Sequence, residues 1–451
     1  MTEGSRRKSV LGRAIDGVSL GAVFVILWAG VHFAPGLRAD AALVGSIGFL
    51  LLAGVLTAQV LEVVGLPHLS GFLLAGVVAG PHVLGLIAAD TVPRLKPVNT
   101  LALALIALAG GAELKLEHLR RSLRSLVAAT VGHGVVGALL SGLVFFAIRP
   151  FFPFARELSL PASLGVALLV GIIASARSPA ATLGVLSQTH ADGPLSQFTL
   201  AVVMISDVVV VVLMSLAVTL ARPLIDVDAT IGVHAFGALG HELLGSVSIG
   251  TTLGLALSAY LKLVGRQPVV VLLATGFGGT ELLKYLHFDP LLAFLVAGFV
   301  VQNLTHQGER FLGAISAMGE IVYVLFFAIA GAALDLGLLR DQWPFACAFV
   351  IWRVAVTLGV ARVSSRLAKD PPAVVEWGWS GLVAQAGLSI GLAAIMTQEL
   401  PSLAPVGNLM LATVAVNQVL GPIVFKIALD RTKESRSLAA LEDLGPPPVR
   451  T

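Results

Sequence analysis

Long apolar runs follow one another along this chain, and they limit it to one kind of fold. Of its 451 residues, 57% are hydrophobic and only 12% are charged, which is more apolar surface than a protein in water can bury. About 20 helical residues cross the hydrocarbon core of a bilayer. We therefore predict an all-α polytopic membrane protein with about fourteen transmembrane helices, one of them an extra helix at the N-terminus. The predicted bounds are 17–34, 41–63, 68–87, 97–114, 126–147, 161–189, 195–221, 236–261, 268–286, 290–304, 312–336, 344–362, 376–397 and 408–428.

Basic residues are distributed unevenly between the predicted loops, and this orients the helices. With both termini in the cytoplasm, roughly 19 Lys and Arg lie inside and about 8 outside, as the positive-inside rule requires. The first apolar run also resembles a signal peptide, because a basic start precedes it and the small residues of "RADAA" follow it. Of these two interpretations we favour a retained helix.

Two pairs of similar segments indicate an internal duplication. "FLLAGVV" (Phe72–Val78) matches "FLVAGFV" (Phe294–Val300) 222 positions later, and "GAELKLEHLR" (Gly111–Arg120) matches "GAALDLGLLR" (Gly331–Arg340) 220 positions later. In the predicted topology Arg120 is inside and Arg340 is outside. The two repeats therefore have opposite orientations in the membrane, which is typical of secondary transporters.

The duplication divides the chain into five predicted parts. They are a cytoplasmic N-terminus with the extra helix (1–40), a first six-helix inverted repeat (41–221), a linker helix (222–267), a second six-helix repeat (268–428) and a short cytoplasmic tail (429–451). We predict that the chain after Lys426 is disordered, because it is charged and ends in "GPPPVR".

Asp207 is the only ionisable residue in "VVMISDVVVVV" (Val202–Val212). A charged Asp at the centre of a membrane helix costs about 2.5–3.5 kcal/mol on insertion scales, so a position facing lipid is disfavoured. In a polar cavity the same carboxylate can hold a proton or a small cation. The alternative is a structural Asp that pairs with a helix end or an arginine.

One span earlier, "ASARSPAATLGVL" (Ala174–Leu186) contains a proline and an arginine. Pro179 lacks an N–H and should break the helix, and a break at membrane depth frees carbonyls that can coordinate cations. Ser178 and Thr182 would add hydroxyl oxygens, although a plain proline kink is the simpler alternative. Arg177 keeps its charge and either extends to the inner surface or pairs with Asp207.

A second segment, "GLVAQAGLSIGLA" (Gly381–Ala393), has Gln385 among glycines such as Gly387 and predicts a second interrupted helix. Arg353 lies near the middle of its own span. Such an arginine more often connects helices than binds substrate. We interpret lone histidines such as His133 first as packed structural residues and second as proton relays.

In this order along the chain, six segments resemble the monovalent cation:proton antiporter superfamily, which includes the sodium/proton exchangers of bacteria. They are "GLPHLSGFLLAGVVAGPHVLG" (65–85), "ALAGGAELKLEHLRR" (107–121), "ARSPAATLGVLSQTHADGPLSQFTLAVVMISDVV" (176–209), "DPLLAFLVAGFVVQNL" (289–304), "GEIVYVLFFAIAGAALDL" (319–336) and "GLVAQAGLSIGLA" (381–393).

The resemblance implies a core domain, in which two interrupted helices cross beside a carboxylate, and a dimerisation domain. By the same resemblance, Asp207 is the shared proton and cation carrier, and residues 177–182 and 383–388 are the two crossovers. It also implies a homodimer in the bacterial inner membrane that works by elevator-type alternating access.

Several positions depart from the pattern of that superfamily. Ser206 stands where an Asn or Asp usually precedes the carrier, and Thr357 stands where electrogenic members carry a lysine. Arg177 replaces a common Thr, while the arginine one turn before the missing lysine is kept as Arg353. Ala384 stands where a proline is common. A single titratable carboxylate predicts an electroneutral exchange of one proton for one cation.

The predicted function is antiport of a monovalent cation against protons, with sodium favoured over lithium or potassium. One alternative is a proton-coupled transporter of an anion or small solute, in which Arg177 and Arg353 bind the substrate. Another is a membrane sensor without transport, in which Arg177 blocks the site. The sequence contains no nucleophile–base pair and no phosphate-binding glycine loop, so we predict no enzyme activity, no cofactor, no resident metal and no nucleic-acid partner.

Overall fold

The computed structural model of the protein describes residues 39–156, 158–226, 234–305, 307–316 and 318–435. These residues form eighteen α-helices joined by short connections. The helices are α1 (Ala39–Glu62), α2 (His68–Ala79), α3 (Lys96–Glu113), α4 (Leu116–Arg121), α5 (Leu123–Val131), α6 (Ala138–Ile148), α7 (Leu160–Ser175), α8 (Pro179–Thr189), α9 (Pro194–Ile225), α10 (His234–Leu263), α11 (Pro268–Tyr285), α12 (Pro290–Leu304), α13 (Gly308–Ser316), α14 (Gly319–Ala332), α15 (Leu336–Ala368), α16 (Pro372–Trp377), α17 (Gly387–Glu399) and α18 (Ala404–Thr432). A π-helical segment, Gly132–Gly137, joins α5 to α6.

Prolines and small polar residues fix where many of these helices begin. Proline is the first residue of α8, α9, α11, α12 and α16, a position where its missing N–H has no helical partner to lose. Ser159, Ser178 and Asp289 cap α7, α8 and α12, since each side chain accepts a backbone N–H bond from three residues further on. At the end of α8, His190 adopts the left-handed conformation, with φ of 45°, which stops the helix.

The described chain has eight helical segments that are long and apolar enough to cross a membrane, and nine if α13 and α14, which bend by 53°, count as one span. Shorter apolar helices lie at His68–Ala79, Pro290–Leu304 and Gly387–Gln398. The protein is therefore an all-helical membrane protein with many spans. The number fourteen stays a prediction, and the predicted first helix (17–34) lies outside the described residues.

Three predicted spans differ from the helices observed. The span at 68–87 ends at Ala79, because Gly80 and Pro81 follow and proline cannot continue the helix. The predicted continuous span at 312–336 is two helices, α13 and α14. The span at 344–362 is only the middle of α15, which has 33 residues.

The described residues divide into two compact units, and each unit takes helices from both predicted repeats. Unit 1 comprises the described parts of Met1–Leu116 and Ala238–Asp341, and unit 2 those of Glu117–Gly237 and Gln342–Thr451. Every residue that the sequence singles out as a site residue lies in unit 2. The boundaries of the repeats themselves stay a prediction.

Within unit 1, two pairs of helices pack with their backbones in close contact. Helix α2 lies against α14, and α3 lies against α12. Each pair meets through two glycines, and a Cβ atom added to any of them would lie about 2 Å from a carbonyl oxygen of the partner helix. The four distances are Gly76 to Ala328 O (1.9 Å), Gly331 to Leu73 O (2.1 Å), Gly111 to Leu295 O (1.9 Å) and Gly298 to Leu108 O (2.1 Å). Such close approach of membrane helices requires small residues.

These four contacts repeat the offsets of the matching sequence segments. Gly298 and Leu295 lie 222 positions after Gly76 and Leu73, and Gly331 and Ala328 lie 220 positions after Gly111 and Leu108. Exchanging each residue for its counterpart converts the contact of Gly76 with Ala328 into the contact of Gly298 with Leu108. The same exchange converts the contact of Gly111 with Leu295 into that of Gly331 with Leu73.

The prediction of a disordered tail after Lys426 is wrong as far as residue 435. Helix α18 continues to Thr432, and the buried Glu434 carboxylate accepts bonds from the N–H groups of Leu195 (2.8 Å) and Ser196 (2.8 Å) and from the Ser196 hydroxyl (2.6 Å). The first N–H groups of a helix have no internal partner, and a carboxylate also suits the positive end of its dipole. Residues 436–451 of the predicted tail lie outside the described residues.

We expect Gly76→Ala to lower the free energy of unfolding by about 1–3 kcal/mol, the usual cost of overpacking. The added methyl group would clash with a backbone carbonyl that can move only with its helix. Unfolding of the purified protein in detergent, followed by tryptophan fluorescence, measures the effect. Gly45→Ala in α1 is the matched control, since no atom lies within 4 Å of its added Cβ. Equal stability of the two variants would contradict the packing described for α2 and α14.

Candidate functional site

A non-helical segment interrupts the polypeptide at the predicted first break, in unit 2. Helix α7 ends at Ser175, and Ala176 has an extended backbone (φ −68°, ψ 149°). Helix α8 begins at Pro179, and the Oγ atom of Ser178 caps it by accepting the Ala181 N–H (3.2 Å). The break predicted at Pro179 is therefore present, on the N-terminal side of the proline.

Side chains satisfy the carbonyls that the break leaves without helical partners. The last four carbonyls of a helix lack an N–H four residues on, and in α7 these are the carbonyls of residues 172–175. The donors are Ser175 Oγ to Ile172 O (2.8 Å), Gln385 Nε2 to Ile173 O (3.0 Å), Arg353 Nε to Ala174 O (2.7 Å) and Arg177 Nη1 to Ser175 O. We expected freed carbonyls to coordinate a cation. Instead, each of them already accepts a bond from a side chain.

Arg353, from α15, connects this break to the second one. Its side chain is 1% exposed. In addition to its bond with Ala174, it donates from Nη2 to Ala176 O (3.1 Å) and Leu382 O (3.4 Å) and from Nη1 to Val383 O (2.6 Å). A guanidinium has five N–H donors, so four of them are directed at backbone carbonyls. This geometry agrees with a structural role for Arg353 and disfavours Arg353 as an anion ligand.

The second break follows a 3₁₀ turn at Ser380–Leu382, and helix α17 begins at Gly387. Between them, Gln385 donates to Ile173 O and accepts a bond from Asn417 Nδ2 (2.8 Å) in α18. Helix α18 also passes close to the break, because a Cβ on Gly421 would lie 2.4 Å from the Cα of Ala384. The second predicted interruption is therefore present, and α18 supports it.

Asp207 is in α9, where its side chain is 5% exposed. Two buried hydroxyl groups belong to its own helix or to the helix packed against it. Ser206 precedes it in the same helix, and Thr182 belongs to α8, which packs against α9. Neither hydroxyl oxygen has a hydrogen-bond partner in the described part of the chain. Carboxylate and hydroxyl oxygens are suitable ligands for hard cations.

Arg177 is buried and therefore does not extend to the surface of the unit. It lies near enough to the carboxylate of Asp207 for the two opposite charges to attract each other, and the predicted pairing stays a prediction. One of its nitrogens donates to Ser175 O, while its Nε atom has no hydrogen-bond partner among the described residues. Arg177 therefore adds a buried positive charge in the neighbourhood of the carboxylate and retains an unused donor.

The structure brings together most of the predicted site residues, but it divides them by role. Ser178, Gln385 and Arg353 use their polar atoms to maintain the two breaks, and Pro179 and Gly387 are the first residues of the helices that follow. Thr357 is buried one helical turn after Arg353. Asp207, Ser206, Thr182 and Arg177 remain as the groups available for chemistry.

Sequence reasoning missed Asn417 and underrated His133. Asn417 lies with Gln418 in the apolar run "VAVNQVLGP", and two amides inside a membrane helix were a usable signal for a polar contact. His133 is buried in the π-helical segment, where Arg177 and Arg353 act on it electrostatically. Its position in a π-helix was not visible in the sequence.

Interrupted helices around a buried carboxylate are typical of ion-coupled secondary transporters. Comparison with known proteins agrees with this class. The family described as "Sodium/hydrogen exchanger, transmembrane" matches residues 47–431, most of the chain. The protein therefore belongs to the sodium/hydrogen exchanger family, within the superfamily that its sequence resembles.

Individual relatives are more distant. A curated protein named Na(+)/H(+) antiporter NhaP, from Pseudomonas aeruginosa, is 26% identical over 260 residues, and the match covers 55% of this chain and 56% of the relative. The solved sodium proton antiporter MjNhaP1 from Methanocaldococcus jannaschii at pH 8 has a TM-score of 0.63 at 16% identity, covering 90% of this chain and 99% of the other. An electron-microscopy structure of the same antiporter gives 0.66 at 17% identity, with 87% and 98% covered. At such identities the structural matches show a shared fold.

We expect Arg353→Lys to destabilise the protein strongly, because an ammonium group cannot reach four carbonyls held by a planar guanidinium. Each buried carbonyl left without a donor costs about 1–3 kcal/mol. Thermal unfolding in detergent measures the loss. Arg362→Lys is the control, since Arg362 is exposed on the same helix. If both variants unfold at the temperature of the parent, Arg353 does not hold the breaks together.

Proposed function

We propose that this protein exchanges a monovalent cation for protons across the membrane, with Asp207 as the carrier that binds either of them. Sodium is the favoured cation, and lithium and potassium are the alternatives. The observation that carries the proposal is the buried carboxylate of Asp207 next to two interrupted helices in a member of the sodium/hydrogen exchanger family. The relative named as an antiporter adds support, although the match covers about half of its length.

The ligands we propose for the cation are side-chain oxygens. The carboxylate of Asp207 supplies the charge, and the hydroxyls of Ser206 and Thr182 supply neutral oxygens. Support comes from the burial of these two hydroxyls without hydrogen-bond partners in the described chain. The carbonyls at the first break are less suitable, because side-chain donors already engage them.

We propose that the exchange is electroneutral. Asp207 is the carboxylate available in the site, and Thr357 stands where electrogenic relatives carry a lysine. Arg177 and Arg353 are positive, so a proton and a cation bound together would add two charges to a site that already has two guanidinium groups. One ligand at a time is the electrostatically favoured stoichiometry.

We further propose elevator-type alternating access in which unit 2, with the whole candidate site, is the moving body. An inverted repeat is the proposed origin of the fold, and the paired glycine contacts of unit 1, with their offsets of 222 and 220, support it. We also propose that the protein is a homodimer in the bacterial inner membrane with both termini in the cytoplasm. The resemblance to the family supports this part of the proposal.

Everted membrane vesicles with an imposed acid-inside gradient test the function. We expect one of sodium, lithium or potassium to collapse the gradient in the parent. In Asp207→Asn we expect collapse to be lost, since an amide neither ionises nor attracts the cation. Fluorescence of a pH-sensitive dye measures both.

Asp226→Asn is the control, because Asp226 is exposed and directly follows the same helix. If no cation collapses the gradient in a folded, inserted parent, antiport is refuted. If the same vesicles instead take up an anion together with protons, Arg177 is favoured as a ligand of that anion. Activity that appears only in Arg177→Thr would favour a blocked site.

A second prediction concerns voltage. One-for-one exchange moves no net charge, so we expect an imposed potential of about 100 mV to leave the reversal point unchanged in proteoliposomes. If two protons moved per cation, the same potential would shift the reversing cation gradient about 50-fold, equivalent to about 2.3 kcal/mol per charge. Measuring the gradient at zero flux, with and without the potential, separates the two stoichiometries.

A further inference from the structure

His133 is a buried polar group that the proposed exchange does not use. It lies in the π-helical segment Gly132–Gly137, a geometry that occurs frequently at functional sites. A Cβ on Gly134 would lie 3.4 Å from Val209 of α9, and one on Gly132 would lie 3.2 Å from Val360 of α15. The segment therefore runs between the helix of Asp207 and the helix of Arg353.

The surroundings of His133 are positively charged. Its side chain is 1% exposed, and its Nε2 atom has no hydrogen-bond partner among the described residues. The charged groups that act on it are the guanidinium groups of Arg177 and Arg353, and Asp207 is the carboxylate of the same site. A neutral imidazole can accept one hydrogen bond. Protonation would remove this acceptor and add a third positive charge.

Of the two arginines, Arg177 has more donors left to share with His133. Arg353 directs four of its five donors at carbonyls of the two breaks. Arg177 has one bond, to Ser175 O, and its buried Nε is without a partner in the described structure. An unpartnered donor and an unpartnered acceptor thus occur in the same buried charge cluster.

We propose that His133 is the second acceptor for Arg177, which alternates between two positions. Arg177 associates with Asp207 while that carboxylate carries neither proton nor cation, and it forms a hydrogen bond to His133 Nε2 when Asp207 is occupied. His133 is then a positioning residue that acts through Arg177. The inference rests on the proposed exchange at Asp207. It adds an acceptor to which Arg177 moves when it leaves Asp207.

The proposed internal repeat relates both members of this pair to residues that hold the breaks. The residue 220 positions before Arg353 is His133, at the offset that relates the segments Gly111–Arg120 and Gly331–Arg340. Arg177 and Gln385 occupy the same place relative to their breaks, each two residues before the helix that follows, although they are 208 positions apart. Arg353 and Gln385 both bind the α7 terminus. Their counterparts, His133 and Arg177, are the two groups that we propose to bind each other.

A double-mutant cycle tests the proposal. We expect His133→Leu, which removes the acceptor, to raise KM for the cation about tenfold, the effect of losing one hydrogen bond. His133→Gln keeps an acceptor oxygen and should stay near the parent value. In the Arg177→Thr background, His133→Leu should have no further effect, since the arginine that it positions is gone. His190→Asn is the control, because His190 is exposed in the same unit.

The pH profile adds a readout that a merely structural histidine would not change. In His133→Leu, Arg177 stays with the ionised Asp207 and opposes its protonation, so the rise of KM as the pH falls should begin at a lower pH than in the parent and in His133→Gln. Some variants could fold without transporting. For these, the rise in unfolding temperature caused by the cation replaces KM in the same double-mutant cycle.

The outcomes separate this inference from the proposed function. A parent that exchanges cations normally, with equal effects of His133→Leu in both backgrounds, overturns the role of His133 alone. Equal damage from His133→Gln and His133→Leu also overturns it. A folded parent without cation-dependent proton flux refutes the proposed function itself.

Discussion

The hydrogen bonds from Arg353 to carbonyls on both sides of the two interruptions are the contacts on which the rest of unit 2 depends. Non-helical backbone at membrane depth is tolerated only where its polar groups are satisfied within the protein. A guanidinium is suited to this task because it remains charged and presents five donors in a fixed plane. Gln385, held by Asn417, adds a further donor. The interruptions beside the proposed ion-binding site are thus stable because buried side chains replace the missing helical bonds.

Because Arg353 is bound to backbone carbonyls, its positive charge stays in the site and contributes to the charge balance around Asp207. With Asp207 ionised, the two arginines and the carboxylate have a net charge of +1, and either a proton or a monovalent cation raises it to +2. Two like charges about 4 Å apart repel each other by about 4 kcal/mol at an effective dielectric constant of about 20. Occupancy by both ligands together is therefore strongly disfavoured. On the proposal that Asp207 is the carrier, competition between proton and cation follows from the charge balance, without any contact that distinguishes them.

The sequence predicted those features that depend on local chemistry. Pro179 and the glycines around Gln385 indicated two interruptions, since both residue types disfavour regular helix, and the charge of Arg177 indicated a partner such as Asp207. Features that depend on tertiary contacts were not accessible. Nothing in the residues around Glu434 shows that its carboxylate caps a helix that begins some 240 positions earlier in the chain. Similarly, a polar residue in an apolar run identifies a donor, but only the fold identifies which carbonyl it satisfies.

The proposed duplication explains how one scaffold supplies both rigidity and chemistry. In unit 1 the related positions keep the same residue type, because the glycines meet backbone carbonyls in both copies of the contact. In unit 2 the related positions have diverged. Arg353 and Gln385 bind backbone carbonyls in one half, whereas their counterparts His133 and Arg177 have unused polar atoms in the other. One half therefore fixes the interruptions, and the other retains the polar atoms that the proposed change of partners at Asp207 requires. If the two halves were identical, the site would lack either the side chains that hold the interruptions or the guanidinium group that is proposed to change partners.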